Sequence, residues 1–270
     1  MAGTAPSSSD CVAYYKLEDL TDSSGNGNTL TNSGATSTTG IINKGYSFVT
    51  NDYLTAGDKL SFANAGVDTA FSISLWVNVA TWNQTGTLIS RYSALGREYM
   101  VLIYNNLIYF ALYQGNTYIG RSGSVSAQPT GEFVNIIVTY DGSETNAGCE
   151  IWIDNSQVDT TNVTSGNYTG MYDVAGSMQI GRRPSELYLA GTIDEIGFFD
   201  IELTADNKTF LYQGGSPGSA QQYPFTSGWS IKVNIGDSWK AVTAIKQNIG
   251  DTWKTVSAVK QNIGDTWKTI

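Results

Sequence analysis

With Asp and Glu totalling 24 and no histidine, this 270-residue chain has a narrow choice of chemistry. Without imidazole there is no Ser-His-Asp or Cys-His relay, and a transition-metal site lacks its commonest ligand. Carboxylate chemistry and oxygen-ligated hard cations remain. Paired carboxyls cleave a glycosidic bond when they converge roughly 5–5.5 Å apart (retaining) or roughly 6.5–9.5 Å apart (inverting). On a strand, neighbouring residues point to opposite faces, so Asp194 and Glu195 are expected to face apart. Glu150 and Asp154 share a face but stand about 13 Å apart. Asp200 and Glu202 are spaced by two, yet they follow the last expected strand and read as solvated turn residues. No catalytic pair is expected, and the protein is expected not to be an enzyme.

A cation is the better use of these acids. Asp22 and Asn26, in the loop DSSGNGN, present oxygens on a glycine-containing turn, and Ca²⁺ takes about six to eight such ligands. The competing reading has Asp22 closing an Asx turn onto backbone amides. Aromatic residues offer a second chemistry. Trp82, Tyr92, Tyr104, Tyr113 and Tyr118, with Asn116, are candidates to stack on sugar rings and read their hydroxyls. The alternative places most of these rings between sheets or at hairpin ends.

The elements that must position these groups are strands. Glycine numbers 29, charged residues make up only 14%, and apolar–polar alternation recurs between Gly, Asn, Asp and Ser clusters. Strands are expected over 12–17, 45–49, 52–54, 71–79, 87–91, 98–104, 107–113, 133–140, 150–154, 177–181 and 189–199. The clearest is FSISLWVNV at 71–79, with Phe71, Ile73, Leu75, Val77 and Val79 on one face. Asn105-Asn106 suits a tight hairpin turn, since Asn tolerates positive φ. One helix is expected, capped by Thr204, with Asp206 in its first turn, ending near Leu211. The fold class is all-β: a two-sheet antiparallel sandwich followed by a short β-repeat tail.

A net charge of −9 excludes the basic footprint of a nucleic-acid binder. No window approaches the ~18 apolar residues of a membrane span, and MAGTAPSSSD has neither the basic nor the apolar region of a secretory signal. Cys11 and Cys149 are too few for a disulfide framework; one bridge is open if their strands lie side by side.

The last forty residues repeat with a period of fourteen: KVNIGDSWKAVTAI, KQNIGDTWKTVSAV and KQNIGDTWKTI. Their apolar spacing also fits heptads, but a Gly in each unit costs about 1 kcal/mol in a helix, and Gly-Asp after a β-branched residue is turn chemistry. Short strands joined by Gly-Asp turns are therefore expected. Such units cannot bury an apolar side alone, so Trp239, Trp253 and Trp267, with Ile235, Ile249 and Ile263, are candidate assembly residues. The expected organisation is an arm (1–10), a sandwich (11–214), a linker opening at Gly214-Gly215-Ser216-Pro217-Gly218-Ser219 (215–228) and the repeats (229–270).

Seven segments appear in order: YYKLEDLTDSSGNGNTLTNSG, GYSFVTNDYLTAGD, FSISLWVN, GEFVNIIVTYDGS, IWIDNSQVD, SMQIGRR and AGTIDEIGFFDIELTADN. Together they resemble the laminin-G-like, concanavalin A-like jelly-roll family over about 11–214. The resemblance implies two face-packed antiparallel sheets, binding of glycans or proteins, and a calcium ion in many members; it brings Asp194 toward the Asp22 loop as a third metal ligand. The GDTWK units resemble the Gly-Trp-Lys strand repeats of bacteriophage tail and fibre proteins. The expectation is a virion structural or adhesion protein: a lectin-like domain displayed outward toward host glycans, and repeats joining it to itself, as a trimer or other homo-oligomer, or to other virion proteins. It would assemble in the host cytoplasm and end on the virion surface. The alternative is a carbohydrate-binding module of a bacterial surface or secreted protein.

Overall fold

The computed structural model describes residues 3–64, 67–93, 96–173, 175–184, 186–213 and 220–225, and six short strands between 232 and 269. The chain divides into two compact units, Met1–Phe225 and Thr226–Ile270.

The strands of the first unit begin with β1 (Cys11–Tyr15), β2 (Thr31–Ser33), β3 (Thr36–Thr39), β4 (Lys44–Phe48), β5 (Tyr53–Gly57), β6 (Ala63–Asn64) and β7 (Val67–Asp68). They continue with β8 (Phe71–Asn78), β9 (Thr85–Ser93), β10 (Gly96–Tyr104), β11 (Leu107–Gln114), β12 (Thr117–Ser124) and β13 (Phe133–Tyr140). The last are β14 (Cys149–Ile153), β15 (Ser156–Gln157), β16 (Asp159–Asn162), β17 (Ser177–Ile180) and β18 (Gly191–Phe199), before helix α1 (Ala205–Tyr212). Two eight-stranded antiparallel sheets result. The first runs β15-β14-β13-β8-β18-β4-β3, with β1 also on β18; the second runs β16-β12-β11-β10-β9-β17-β5-β2.

The core lies between the sheets. Phe71, Ile73, Leu75 and Val77 of β8 meet Tyr99, Val101, Phe110 and Leu112 of the second sheet, as the alternation of β8 requires. Phe62 stacks on Phe71 with ring centroids 4.3 Å apart. Asn105 and Asn106 have φ 49° and 64°, the left-handed pair that a two-residue turn between β10 and β11 demands. The capping box of α1 is complete: Thr204 Oγ1 accepts from the Asn207 amide, and the Asn207 side chain accepts from that of Thr204.

Several strands escape the alternation pattern, β12 above all, because its sequence TYIGRSGS is poor in strand formers. It forms because a paired β11 supplies eight register partners, Leu107↔Ser124 through Gln114↔Thr117.

The cysteines are free and buried. They share the first sheet, but β1 pairs with β18 and β14 with β13, so β13, β8 and β18 stand between them and no bridge can form. The Gly214–Ser219 boundary lies outside the described residues. The segment 220–225 belongs to the sandwich unit, because Phe225 packs on Tyr14, Phe199 and Phe210.

In the second unit each repeat is one antiparallel pair: β19 (Lys232–Ile235) with β20 (Ser238–Ala241), β21 (Lys246–Ile249) with β22 (Thr252–Thr255), and β23 (Lys260–Ile263) with β24 (Thr266–Thr269). Trp239, Trp253 and Trp267 hold one register place, opposite Asn234, Asn248 and Asn262. Ile235, Ile249 and Ile263 are each the last residue of the first strand of their pair. The Gly-Asp turns lie outside the described residues.

Candidate functional site

The two sheets differ in what covers their outer faces. On the first sheet, Trp76 is buried and stacks on Tyr212 of α1 at 6.1 Å, and Tyr14 and Phe199 lie under Phe225. Among the described residues no helix covers the outward residues of β9 to β12, which form their own cluster: Met100, Ala111 and Tyr113, with Leu102 and Tyr118 packed on it.

Register builds this outer face in rows. Gln179, Ser90, Met100, Ala111 and Gly120 are successive partners across β17, β9, β10, β11 and β12. On one side of this row Tyr92 pairs with Arg97, and Tyr113 with Tyr118, whose rings are 5.4 Å apart. On the other side Leu102 pairs with Tyr109, and beyond them Tyr104 pairs with Leu107. Tyr104 is 45% exposed and meets Tyr109 edge-on at 6.2 Å.

Arginines join the tyrosines. The Arg97 guanidinium lies 5.1 Å from the Tyr92 ring centre and 5.6 Å from that of Tyr113, and its Nε donates to Tyr92 Oη at 2.8 Å. Arg183 approaches Tyr92 from its other neighbours at 5.4 Å. Arg182 sits over the Tyr53 ring at 3.3 Å while its Nε donates to Gln179. Cation–π contacts of this kind stabilise by about 0.5–1 kcal/mol each at exposed sites, and they hold the rings and guanidinium planes in fixed orientations. Burial pushes the Tyr113 hydroxyl up to about 12, against the lowering effect of Arg97 and Arg183. A rigid aromatic platform with oriented donors can stack a sugar ring and bond its oxygens.

The candidate residues therefore separate. Tyr92, Tyr104, Tyr113 and Tyr118 share this face, and Asn116 is exposed in the β11–β12 turn at its end. Trp82 does not belong there: it is buried in the inter-sheet core, its Nε1 donating to the Pro129 carbonyl. Arg97, Arg182, Arg183 and Tyr53 were not singled out from the sequence. Their signal is faint, an Arg close to a Tyr in each of two neighbouring strands.

The three candidate metal ligands are not drawn together. Asp22 Oδ1 accepts from the amides of Tyr14 and Ser24 and from Ser24 Oγ, and Oδ2 accepts from the Asn28 amide. Asn26 turns its Nδ2 to the Cys11 and Val12 carbonyls. Asp194 faces a different loop, accepting from the amides of Ile42 and Glu195. Among the described residues no group of three or more Cys, Asp or Glu is placed to hold a metal. These oxygens already serve N–H and O–H donors, so the residues do not fit a six- to eight-oxygen calcium shell.

Two acidic clusters bear on catalysis. Asp194 and Glu195 were expected on opposite faces, and the structure corrects this. Ile193 and Ile196 both enter the core, while a β-bulge with Glu195 at φ 49° turns both carboxyls outward. There β18 changes partner from β4 to β1. Burial, then the charge of Glu195, raises the Asp194 carboxyl to about 8, and burial raises Glu195 to about 7. Tyr14 Oη lies 2.6 Å from Glu195 and 2.7 Å from the Gln221 carbonyl. The Tyr14 hydroxyl thus donates toward Glu195, which also accepts from Gln222 Nε2.

The second cluster lines a cleft of about 500 Å³. Glu98, fully buried, accepts from Arg91, Ser61 Oγ and the Phe62 and Ala63 amides. Arg91 also binds Asp58 at 2.7 Å and Asp173 at 3.4 Å. The buried carboxyls of both clusters, Glu98, Asp194 and Glu195, accept from internal donors, while Asp58 and Asp173 stay exposed. Asp200 and Glu202 are exposed beyond β18, as solvated turn residues.

Residues 48–207 match the family described as the concanavalin A-like lectin/glucanases superfamily, and the chain belongs to it. No curated protein matches the chain. Among solved structures it is similar to domain 4 of AbnA, a GH43 extracellular arabinanase from Geobacillus stearothermophilus, in complex with arabinotriose. That match has 19% identity, a TM-score of 0.57, and covers 76% of this chain and 98% of that one. The binding domain of Paraclostridial Mosquitocidal Protein 1 matches at 11% identity and TM-score 0.58, over 97% of this chain and 73% of the other. The botulinum neurotoxin serotype G binding domain matches at 16% identity and TM-score 0.58, over 96% and 64%. The chain spans about half to two thirds of the neurotoxin binding domains it matches. At these identities the likeness is one of fold: a lectin-like jelly-roll.

Proposed function

We propose that this protein is a non-catalytic, glycan-binding adhesion module whose ligand lies on the outer face of β9 to β12, and whose C-terminal hairpins mediate self-assembly. The observation that carries the reading is the tyrosine–arginine platform of Tyr92, Arg97, Tyr113 and Tyr118, on the sheet face that no helix covers among the described residues. The arabinotriose complex of the arabinanase domain supports a carbohydrate as the ligand class. A non-catalytic role is supported by the saturation of the buried carboxyls by internal donors.

Assembly rests on the repeats. Each is a two-stranded pair, marginal by itself in water, and all three carry Trp at one register place. Their likeness to bacteriophage fibre repeats supports a place on a virion surface, with the lectin-like unit turned toward a host glycan. The test is a glycan array probed with the full chain and with Tyr118→Ala. Binding by the full chain that the variant loses supports the reading; a blank array overturns it. Light scattering supplies the second half, an oligomer for the full chain and a monomer after deletion of 226–270.

A further inference from the structure

Resting on the glycan-binding reading above, we propose that the ligand of the β9–β12 face is an acidic sugar, whose carboxylate is taken by Arg97 and Arg183 beside the Tyr92 and Tyr113 rings. Charge distribution points there first. The chain has Asp+Glu 24 against Lys+Arg 15, so an ordinary patch of its surface is acidic. Strands β9 to β12 nevertheless contain a single carboxylate, Glu98, and it is fully buried and bonded to Arg91. The five arginines of the chain are Arg91, Arg97, Arg121, Arg182 and Arg183, and three of them meet the tyrosines of this region.

The arginines are also available. Among the described residues neither Arg97 nor Arg182 is paired with a carboxylate. The guanidinium of Arg97 is oriented by two tyrosine rings and one bond from Nε, which leaves its terminal N–H groups without an acceptor among the described residues. A guanidinium fixed in this way matches a carboxylate through two parallel bonds. Arg183 is held by Glu186, whose side chain is 51% exposed, and its Nε is buried with no acceptor among the described residues. An exposed ion pair contributes about 0–1 kcal/mol, so a sugar carboxylate can replace Glu186 at little cost. A neutral sugar would need the rings and hydroxyl-reading amides but no unneutralised cation. Arg97 and Arg182, without a carboxylate partner among the described residues of a chain of net charge −9, are explained by an anion.

Uronate and sialate residues share this carboxylate, and the experiment separates them. Isothermal titration of the full chain uses a galacturonate oligomer, the same oligomer as its methyl ester, and a sialylated oligosaccharide. The expected result is binding of at least one acid form, about tenfold or more weakened in the ester, with affinity falling as salt rises. Arg97→Gln is expected to weaken the acid about ten- to a hundredfold and the ester by about threefold or less, since the ring contacts of Arg97 are lost in both cases, and Arg97→Lys to fall between. Arg183→Gln provides a second variant if the first fails to fold. Equal binding of acid and ester, or equal loss of both in Arg97→Gln, overturns the acidic-sugar inference and leaves a neutral glycan site standing. Absence of binding to any saccharide, acidic or neutral, overturns both readings.

Discussion

The outer faces of the two sheets start from similar strands and end in opposite conditions. On the first sheet Ser72, Ser74 and Trp76 lie on the side away from the core, yet all three are buried. Ser72 Oγ donates to the Ile201 carbonyl and accepts from the Leu203 amide, and Trp76 is roofed by Tyr212. On the second sheet the equivalent side carries tyrosines and arginines that pack on one another; Ser90, Met100, Ala111 and Tyr113 are buried there too, and the exposure lies at the edge, with Tyr104 45% exposed. A face roofed by its own chain has its polar groups satisfied internally and contributes stability. A face that no helix covers among the described residues, and that is lined by tyrosines and arginines, keeps oriented donors and rings at its edge, which is why the proposed ligand is assigned to the second sheet.

Removing each face's anchor separates the two roles. Trp76→Ala is expected to destabilise the sandwich by about 3–5 kcal/mol, as for other buried aromatics, with glycan affinity unchanged in whatever fraction stays folded; urea denaturation and titration measure the two. Tyr118→Ala is expected to do the reverse, costing under about 1 kcal/mol of stability, in the range of surface changes, while weakening glycan binding about tenfold, comparable to the loss of one stacking platform. If Tyr118→Ala proved the more destabilising of the pair, the contrast between a structural and a ligand face would fail.

The roofed face also carries the pH dependence. Asp194 and Glu195 have folded-state values raised to about 8 and about 7, above the ordinary carboxyl range. An acid raised on folding favours the folded state while protonated, so its stabilisation is full below the unfolded value near 4 and is lost as pH rises through the folded value. Unfolding midpoints are therefore expected to fall from pH 5 to pH 9, with a flatter slope in Glu195→Gln. A midpoint that climbs over that range would contradict the raised values of Asp194 and Glu195.

A smaller effect is expected for Tyr104→Ala, at the far end of the open face: glycan affinity reduced by about threefold or less, below 1 kcal/mol. The smallest concerns metal. Because Asp22 and Asp194 oxygens already accept from amides, a chelator is expected to leave both the melting temperature and glycan binding where they were. A calcium-dependent rise in melting temperature would require those hydrogen bonds to be displaced.

Much of the sandwich is legible along the chain where alternation is strong. Phe71 to Val77 read as one buried face and are one, and Asn105-Asn106 reads as a turn because few residues other than Asn accept its φ values. Thr204 and the helix to Tyr212 follow from capping chemistry. The site is less legible. Trp82 and Tyr118 look alike in sequence, both aromatic beside polar residues, but one lies between the sheets and the other outside them. Strand β12, which carries Tyr118, has no alternation of its own to announce it.

What the sequence alone determined was local: residue-level propensity, turn chemistry, the absence of histidine, and a fourteen-residue repeat that pairs as hairpins in each copy. Those depend on neighbours a few positions apart. What only the tertiary structure decided was nonlocal: that a bulge sends Asp194 and Glu195 to one side, that Arg97 and Arg183 meet around Tyr92, and that one sheet is roofed while the other is open. Each depends on register between strands far apart in the chain, and a one-residue shift of register reverses every side chain it touches.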